Sequence, residues 1–160
     1  ENVNAGLHNL LTPRGAQVRD ARAWSRFIDE AIDRFADGTE VLFTTHHWPR
    51  WGRETIADHL KKQRDLYRYI HDQTVRLMNR GYTPAECAEM IHLPASLASE
   101  WYNRDFYGTV HFNVKAVYQR YLGWFDGNPA SLQPLPPEEA AGKYLQCRLC
   151  RAGKPGGPGT

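Results

Sequence analysis

Apolar residues recur at helical spacing along most of the chain. One stripe runs from Trp24 to Phe35, and Gly38 follows at the position where a helix commonly ends. A longer pattern over 53–79 predicts a single helix that Gly81 stops. The apolar side of this helix consists of Ile56, Leu60, Tyr67, Ile70, Thr74 and Leu77.

Shorter helices are predicted after Gly81. The run Thr83-Pro84-Ala85-Glu86 combines an N-cap residue, a proline at the first helical position and an acidic residue at the third, which together start a helix. The pattern predicts three more helices, at 94–101, 110–125 and 138–145. Asp126-Gly127-Asn128-Pro129 ends the second of them.

The chain before residue 53 has a different pattern. Residues 1–20 lack a helical period and predict a short strand and a loop. Val41-Leu42-Phe43-Thr44-Thr45 is short, apolar and β-branched, which is typical of a buried strand. Helix, turn and strand over 22–45 indicate a layered α/β domain. We therefore expect an α/β fragment at 1–52 and an all-helical domain at 53–146.

Composition narrows the class of protein. The 160 residues, 41% of them apolar, suffice for one ordinary domain or for a piece of a larger one. A net charge of +2, with both signs interspersed, does not indicate nucleic-acid binding. The sequence has no apolar run of membrane-spanning length. It begins without Met, which suggests a segment of a longer chain or a mature product.

The end of the chain has an unusual composition. Cys147 and Cys150 form a Cys-x-x-Cys pair, followed by a tail rich in Gly and Pro. The pair could be half a zinc site or a redox pair, although no second pair exists to complete four thiolate ligands. The tail cannot bury apolar surface, so residues 147–160 are predicted to be disordered or aberrant.

Adjacent histidines follow the predicted strand. His46 and His47 lie in Phe43-Thr44-Thr45-His46-His47-Trp48-Pro49-Arg50-Trp51-Gly52. In layered α/β folds, binding sites gather where strands end, and neutral imidazole is a good zinc ligand. The alternative is that His46 caps a turn while His47 stacks on Trp48. One ligand cannot make a metal site, so both interpretations stay open.

The segment from His8 to Asp20 is a second candidate site. Asn9, Arg14 and Arg19 come from a loop, and two guanidinium groups with a carboxamide could hold a tetrahedral oxyanion. The alternative is that both arginines are surface charges beside Asp20.

A third candidate is His111, in Tyr107-Gly108-Thr109-Val110-His111-Phe112-Asn113 at the head of a predicted helix. A histidine there could act as a general acid, but most such residues are merely half-exposed.

Six motifs together carry a resemblance that covers most of the chain. They are Glu1-Asn2, His8 to Asp20, His46 to Gly52, Lys62-Gln-Arg-Asp-Leu-Tyr-Arg-Tyr-Ile-His-Asp-Gln73, Glu100-Trp-Tyr-Asn-Arg104 and Ala116-Val-Tyr-Gln-Arg-Tyr-Leu-Gly-Trp-Phe-Asp-Gly-Asn-Pro129. From Glu1 to about Leu145 the chain resembles the alkyl sulfatases of the metallo-β-lactamase superfamily. These enzymes hydrolyse sulfate esters such as dodecyl sulfate at a two-zinc centre, where bound water has a pKa of about 7.

The resemblance implies roles for individual residues. Glu1 and His46 would be zinc ligands, and Asn9, Arg14 and Arg19 would hold the sulfate. The helical part would be the family's dimerisation domain, which also lends side chains to the mouth of the active site. The candidate catalytic residues there are His111, Tyr118 and Tyr121.

The chain also departs from the family. The first zinc motif, His-x-His-x-Asp-His, is absent, because the chain begins downstream of it, and so is the sterol-carrier-like domain. The family leads us to expect a histidine at the place of Phe112, one residue after His111. With only two zinc ligands, the 160-residue chain alone is expected to be inactive.

We therefore expect a piece of an α/β metallo-β-lactamase fold followed by a helical dimerisation domain. The longer enzyme would be a zinc-dependent alkyl sulfatase that acts on alkyl sulfate esters as a homodimer, without nucleic acid or stable membrane insertion. A periplasmic or secreted location is expected. The alternatives are a non-catalytic helical dimerisation module and a phosphate or nucleotide binder that uses the two arginines, although the latter lacks a Gly-rich loop. Tyr67, Tyr69 and Trp101 are predicted to form an aromatic dimer surface.

Overall fold

The computed structural model describes residues 2–152, with side chains for 2–148. In this range the chain is mostly helical. The α-helices are α1 (Ala21–Phe35), α2 (Arg53–Met78), α3 (Pro84–Met90), α4 (Ala95–Ala98), α5 (Val110–Leu122) and α6 (Pro137–Ala152). The strands are β1 (Val41–Leu42) and β2 (Arg50–Trp51), and short 3-10 turns occur at Ala36–Gly38, Trp101–Asn103 and Pro129–Ser131.

The long helix α2 is the centre of the core. It packs against α1, α3 and α5, and all six residues predicted for its apolar side are buried. Tyr67 stacks on Trp24 of α1 with ring centroids 4.6 Å apart. In α1 only Trp24 and Ile28 of the predicted stripe are fully buried, whereas Phe27 and Phe35 are exposed. The stripe predicted for α1 is therefore wider than the face that α1 buries.

Local sequence signals set several helix ends. The predicted capping box is confirmed, because Thr83 Oγ1 accepts from the Glu86 N–H while the Glu86 carboxylate accepts from the Thr83 N–H. At α5, Thr109 Oγ1 accepts from the N–H of Phe112 at 3.0 Å. This helix ends at Leu122, before the predicted Phe125, because Gly123 has a φ of 79°, a positive value outside the helical region that glycine adopts without strain.

The predicted buried strand is wrong for the described residues. Only Val41 and Leu42 are strand, and they pair antiparallel with Trp51 and Arg50 in a two-stranded hairpin. Val41 is exposed, and 74% of the Phe43 surface is accessible. β-Branched and aromatic residues favour a strand but do not supply the layers that bury it. The assignment of 1–52 to a metallo-β-lactamase fold stays a prediction.

The chain up to Asp126 forms one compact unit, and a second begins at Gly127. In the second unit α6 runs through Ala152, so it is longer than predicted and includes the start of the segment predicted as disordered. Residues 153–160 and the Cys150 side chain lie outside what the structure describes. Within 127–148 no residue is buried. The predicted division at 52/53 stays a prediction. The helices on either side of it, α1 and α2, pack together in the first unit.

The predicted aromatic surface needs correction. Tyr67 is a core residue with 1% of its surface accessible, and Tyr69 is partly buried with its hydroxyl donating to the His92 carbonyl oxygen at 2.9 Å. Of the three predicted residues, Trp101 is the exposed one. Among the described helices, none is both long and apolar enough to cross a membrane.

Candidate functional site

The polar loop at residues 4–12 is buried and fixed by contacts from distant helices. The N–H of Gly108 donates to the Leu7 carbonyl oxygen at 2.8 Å. From α5, Asn113 Nδ2 donates to the His8 carbonyl oxygen at 2.9 Å, and Asn113 Oδ1 accepts from the N–H of Leu10 at 2.8 Å. These bonds fix the backbone on both sides of Asn9.

Gly108 allows the loop to approach so closely. A Cβ atom built at Gly108 would lie 2.4 Å from the His8 carbonyl oxygen and 2.7 Å from the Asn9 nitrogen. A Cβ atom does not come this close to backbone atoms to which it is not bonded. Any residue other than glycine at position 108 would therefore displace the loop.

Asn9 holds Arg19 in place. Arg19 Nη1 donates to the Asn9 backbone oxygen and to Asn9 Oδ1, both at 2.9 Å, and to Thr12 Oγ1 at 3.3 Å. The Arg19 guanidinium carbon also lies 6.0 Å from the centroid of the Trp24 ring. Asn9 itself is buried, so its carboxamide oxygen acts on Arg19. Arg14 is exposed on the turn that the Gly15 N–H closes on the Thr12 carbonyl oxygen at 3.1 Å.

Arg14, Arg19 and His46 come together around one pocket of about 350 Å³, which we call the arginine pocket. The predicted convergence of the two arginines beside His46 is therefore seen in the structure. The pocket is lined by Asn4, Gly6, Leu7, His8, Arg14, Arg19, His46, His47, Phe106 and Tyr107. Two guanidinium groups give it a positive charge, which suits a small anion.

The two adjacent histidines have different environments. His46 is exposed in the turn between β1 and β2, with a φ of 73° that few residues other than glycine adopt. His47 is half-buried, and its ring meets Trp48 edge-on at 4.8 Å and lies 5.9 Å from Trp101. One of the two sequence interpretations had His47 stacked on Trp48; the two rings are in contact, but edge-on rather than stacked. The contact between His47 and Trp48 leaves the zinc-ligand hypothesis for His46 in place, because His46 lines the arginine pocket.

The two residues predicted as zinc ligands are Glu1 and His46. Glu1 lies outside the described residues. Within 2–148 no three His, Cys, Asp or Glu side chains gather closely enough to hold a metal ion. Zinc needs three or four protein ligands, and His46 would supply one of them. The described residues therefore do not form a complete zinc site by themselves.

The predicted catalytic residues do not line the arginine pocket. His111 is exposed on the first turn of α5, and Tyr121 contacts His71 on α2. Tyr118 is partly buried against the core, and this burial raises the pKa of its phenol. Phe112, in contrast, lines a neighbouring cavity together with Asn9, Arg14 and Tyr107. Phe112, the residue after His111, is therefore the one that faces Asn9 and Arg14.

Sequence reasoning missed His8 and Tyr107. His8 is buried, its Nδ1 lies 3.0 Å from the Asn9 carbonyl oxygen, and its ring meets Tyr107 edge-on at 5.1 Å. Tyr107 borders both the arginine pocket and the cavity beside Phe112. The sequence indicated these two residues only through their neighbours, since His8 directly precedes Asn9 and Tyr107 directly precedes Gly108.

Comparison with known proteins identifies the helical part. Residues 83–149 match the family described as alkyl sulfatase dimerisation. The chain carries an alkyl sulfatase dimerisation domain. The matched range of this domain begins at Thr83, in the capping turn of α3, rather than at the predicted residue 53.

The similarity to alkyl sulfatases extends beyond the dimerisation domain. The chain is 51% identical over 146 residues to the alkyl/aryl-sulfatase BDS1 of Saccharomyces cerevisiae, covering 91% of this chain and 23% of that protein. It is 48% identical to a linear primary-alkylsulfatase of Pseudomonas sp, covering 91% of this chain and 22% of that protein. The structure of the stereoselective inverting sec-alkylsulfatase Pisa1 from Pseudomonas sp. matches with a TM-score of 0.87 at 46% identity, over 92% of this chain and 23% of that chain. The chain thus spans under a quarter of the length of these relatives.

Proposed function

We propose that this chain is a segment of a zinc-dependent alkyl sulfatase that hydrolyses alkyl sulfate esters, such as dodecyl sulfate, to an alcohol and sulfate. The observation that carries the proposal is the arginine pocket, where Arg14 and Arg19 from the loop before α1 and His46 from the β1–β2 turn line one cavity. The similarity to alkyl sulfatases over most of the chain supports the same substrate class.

In this proposal the sulfate group lies between the two guanidinium groups. Arg19 is already oriented, because Asn9 and Thr12 occupy its Nη1 hydrogens and leave its other donors for an anion. An oriented donor loses little freedom when charge develops on the sulfate oxygens, which makes such donors effective in transition-state stabilisation. Asn9 is then a positioning residue for Arg19.

We further propose that His46 and Glu1 are ligands of a two-zinc centre whose remaining ligands lie in the longer enzyme. The metallo-β-lactamase fold and a periplasmic or secreted location belong to the same proposal. Dimerisation would be the role of the domain matched at 83–149. The alternative, a non-catalytic helical module, has no use for two arginines that line one pocket beside His46.

A segment exchange tests the function. Residues 2–146 of this chain would replace the corresponding segment of the Pseudomonas linear primary-alkylsulfatase, and dodecyl sulfate hydrolysis would be measured by alcohol release. We expect a folded, zinc-loaded chimera with measurable turnover, and no turnover by the 160-residue chain alone. A chimera that folds and binds zinc but releases no alcohol would overturn the proposal.

A further inference from the structure

His71 connects a carboxylate and a phenol between α2 and α5. Its Nδ1 lies 2.7 Å from Asp72 Oδ1, and its Nε2 lies 2.7 Å from the Tyr121 hydroxyl. Arg68 Nε donates to the other carboxylate oxygen of Asp72 at 2.6 Å. Asp72, His71 and Tyr121 thus form a row of hydrogen-bonded side chains. None of these residues lines the arginine pocket, so the row is a second cluster, separate from that pocket.

The Asp72 carboxylate decides which nitrogen of the His71 imidazole carries the proton. Burial raises the pKa of Asp72, but hydrogen bonds from His71 and Arg68 outweigh it and hold that pKa below its ordinary value. The ionised carboxylate accepts hydrogen bonds only, so the proton of the neutral imidazole lies on Nδ1. Nε2 then carries a lone pair and accepts from the Tyr121 hydroxyl.

The two ends of the row differ in exposure. The side chain of His71 has 8% of its surface accessible, so the imidazole is held between the helices. Tyr121 is 47% exposed at the end of α5, and its hydroxyl oxygen keeps lone pairs after donating to His71. If the hydrogen bond between His71 and Tyr121 served only to hold α2 and α5 together, it would require neither the Asp72 carboxylate on the other side of the imidazole nor an exposed phenol.

We propose that Tyr121 is a nucleophilic tyrosine, activated by His71 and oriented through Asp72, that reacts with electrophilic sulfur(VI) compounds. An adjacent base oriented by a third group is the arrangement that activates hydroxyl nucleophiles in enzymes. With an aryl sulfonyl fluoride, the Tyr121 Oη–S bond forms and the S–F bond breaks. The phenol proton passes to His71 Nε2, and fluoride leaves.

The test is site-resolved labelling of the 160-residue chain by an aryl sulfonyl fluoride at neutral pH, followed by peptide mass spectrometry. Tyr107, which is 57% exposed, is the internal reference. We expect Tyr121 to be labelled at least about tenfold faster than Tyr107, since general-base assistance commonly gives a hundredfold or more. Both His71→Asn and Asp72→Asn should remove this advantage without changing the rate at Tyr107.

Circular dichroism of each variant shows whether it folds. Asp72 is 45% exposed, so Asp72→Asn decides the question if His71→Asn fails to fold. Equal labelling of Tyr121 and Tyr107 would overturn the proposal. A fast Tyr121 that is unchanged by a folded Asp72→Asn or His71→Asn variant would overturn it too. The test does not depend on the sulfatase proposal, because it uses neither zinc nor a sulfate ester.

Discussion

Asn113 Nδ2 donates to the carbonyl oxygen of His8 across 2.9 Å, although 105 residues separate the two in sequence. The same side chain accepts from the N–H of Leu10, so one carboxamide satisfies two backbone groups of the loop at residues 4–12. The loop that carries Asn9 therefore has its geometry set by α5, a helix of the dimerisation domain.

Replacing Asn113 should destabilise the chain. Asn113→Ala removes two buried hydrogen bonds, one to the His8 carbonyl oxygen and one from the Leu10 N–H, at a cost of about 2–5 kcal/mol in the free energy of unfolding. Urea unfolding of the 160-residue chain measures it, with Gln119→Ala on the exposed side of α5 as the matched control. Equal unfolding midpoints for the two variants would show that the loop does not depend on Asn113.

Arg14→Ala should weaken catalysis in the chimera. Removing one of the two guanidinium groups that face the developing sulfate charge should cost about 2–4 kcal/mol in transition-state stabilisation. Steady-state kinetics with dodecyl sulfate at saturating zinc measures the change in kcat/KM. The matched control is Arg22→Ala, an exposed arginine of α1 that lies outside the arginine pocket. Unchanged kinetics for Arg14→Ala would mean that Arg14 is a surface charge.

Phe112→His should raise the turnover of the chimera. Phe112 lines the cavity beside Arg14 and Tyr107, where an imidazole could protonate the leaving alcohol, whereas His111 is exposed. Positioned general acids contribute about a hundredfold or more, so we expect at least about a tenfold rise in kcat. His111→Ala should leave kcat unchanged. A Phe112→His variant no faster than its parent would argue against a general acid at this position.

The features that were predicted correctly from the sequence are those that depend on residues close together in the chain. The six apolar positions of α2 and the capping box at Thr83 follow from local spacing, and the structure confirms both. The buried strand at 41–45 failed, because burial depends on layers that five residues cannot specify. His111 and Phe112 differ by about 100° around α5, and the cap at Thr109 decides which of them faces the loop. Gly108 and His8 are close in space but distant in sequence, so no local pattern predicts their contact.

His59 should make the stability of the fold sensitive to acid. It is buried with its ring edge-on to Tyr102, and burial, assisted by the charge of Arg50, lowers its pKa from 6.5 to about 3. Between these two values the unfolded chain binds a proton that the folded chain does not. The free energy of unfolding therefore falls as the pH decreases, by at most about 1.4 kcal/mol per pH unit.

Urea unfolding at pH 7 and pH 5 tests this coupling. His59→Gln should reduce the loss of stability between the two pH values, because its side chain does not titrate. His92→Gln, at an exposed histidine, should lose as much stability as the parent chain. Identical pH dependence in His59→Gln and His92→Gln would contradict the role of His59.

The chain should form a homodimer through its second unit. Residues 127–148 contain no buried side chain, yet they expose Leu132, Leu135, Tyr144 and Leu145, all within the matched dimerisation range. A segment of this kind gains stability by burying apolar surface, at roughly 25 cal/mol per Å². A second copy of the chain can supply the covering surface, and a stable homodimer would bury more than about 2,000 Å² in the longer enzyme.

Light scattering at micromolar concentration decides between one copy and two. The 160-residue chain should scatter at twice its mass of 18.4 kDa, and the double variant Tyr144→Ser with Leu145→Ser should return it to the monomer mass. Phe43→Ser is the control, because Phe43 is as exposed as Tyr144 but lies outside the matched domain. Loss of the dimer in Phe43→Ser would move the interface to the β1–β2 hairpin. A monomer mass for the unsubstituted chain at every concentration would mean that these apolar residues do not drive self-association.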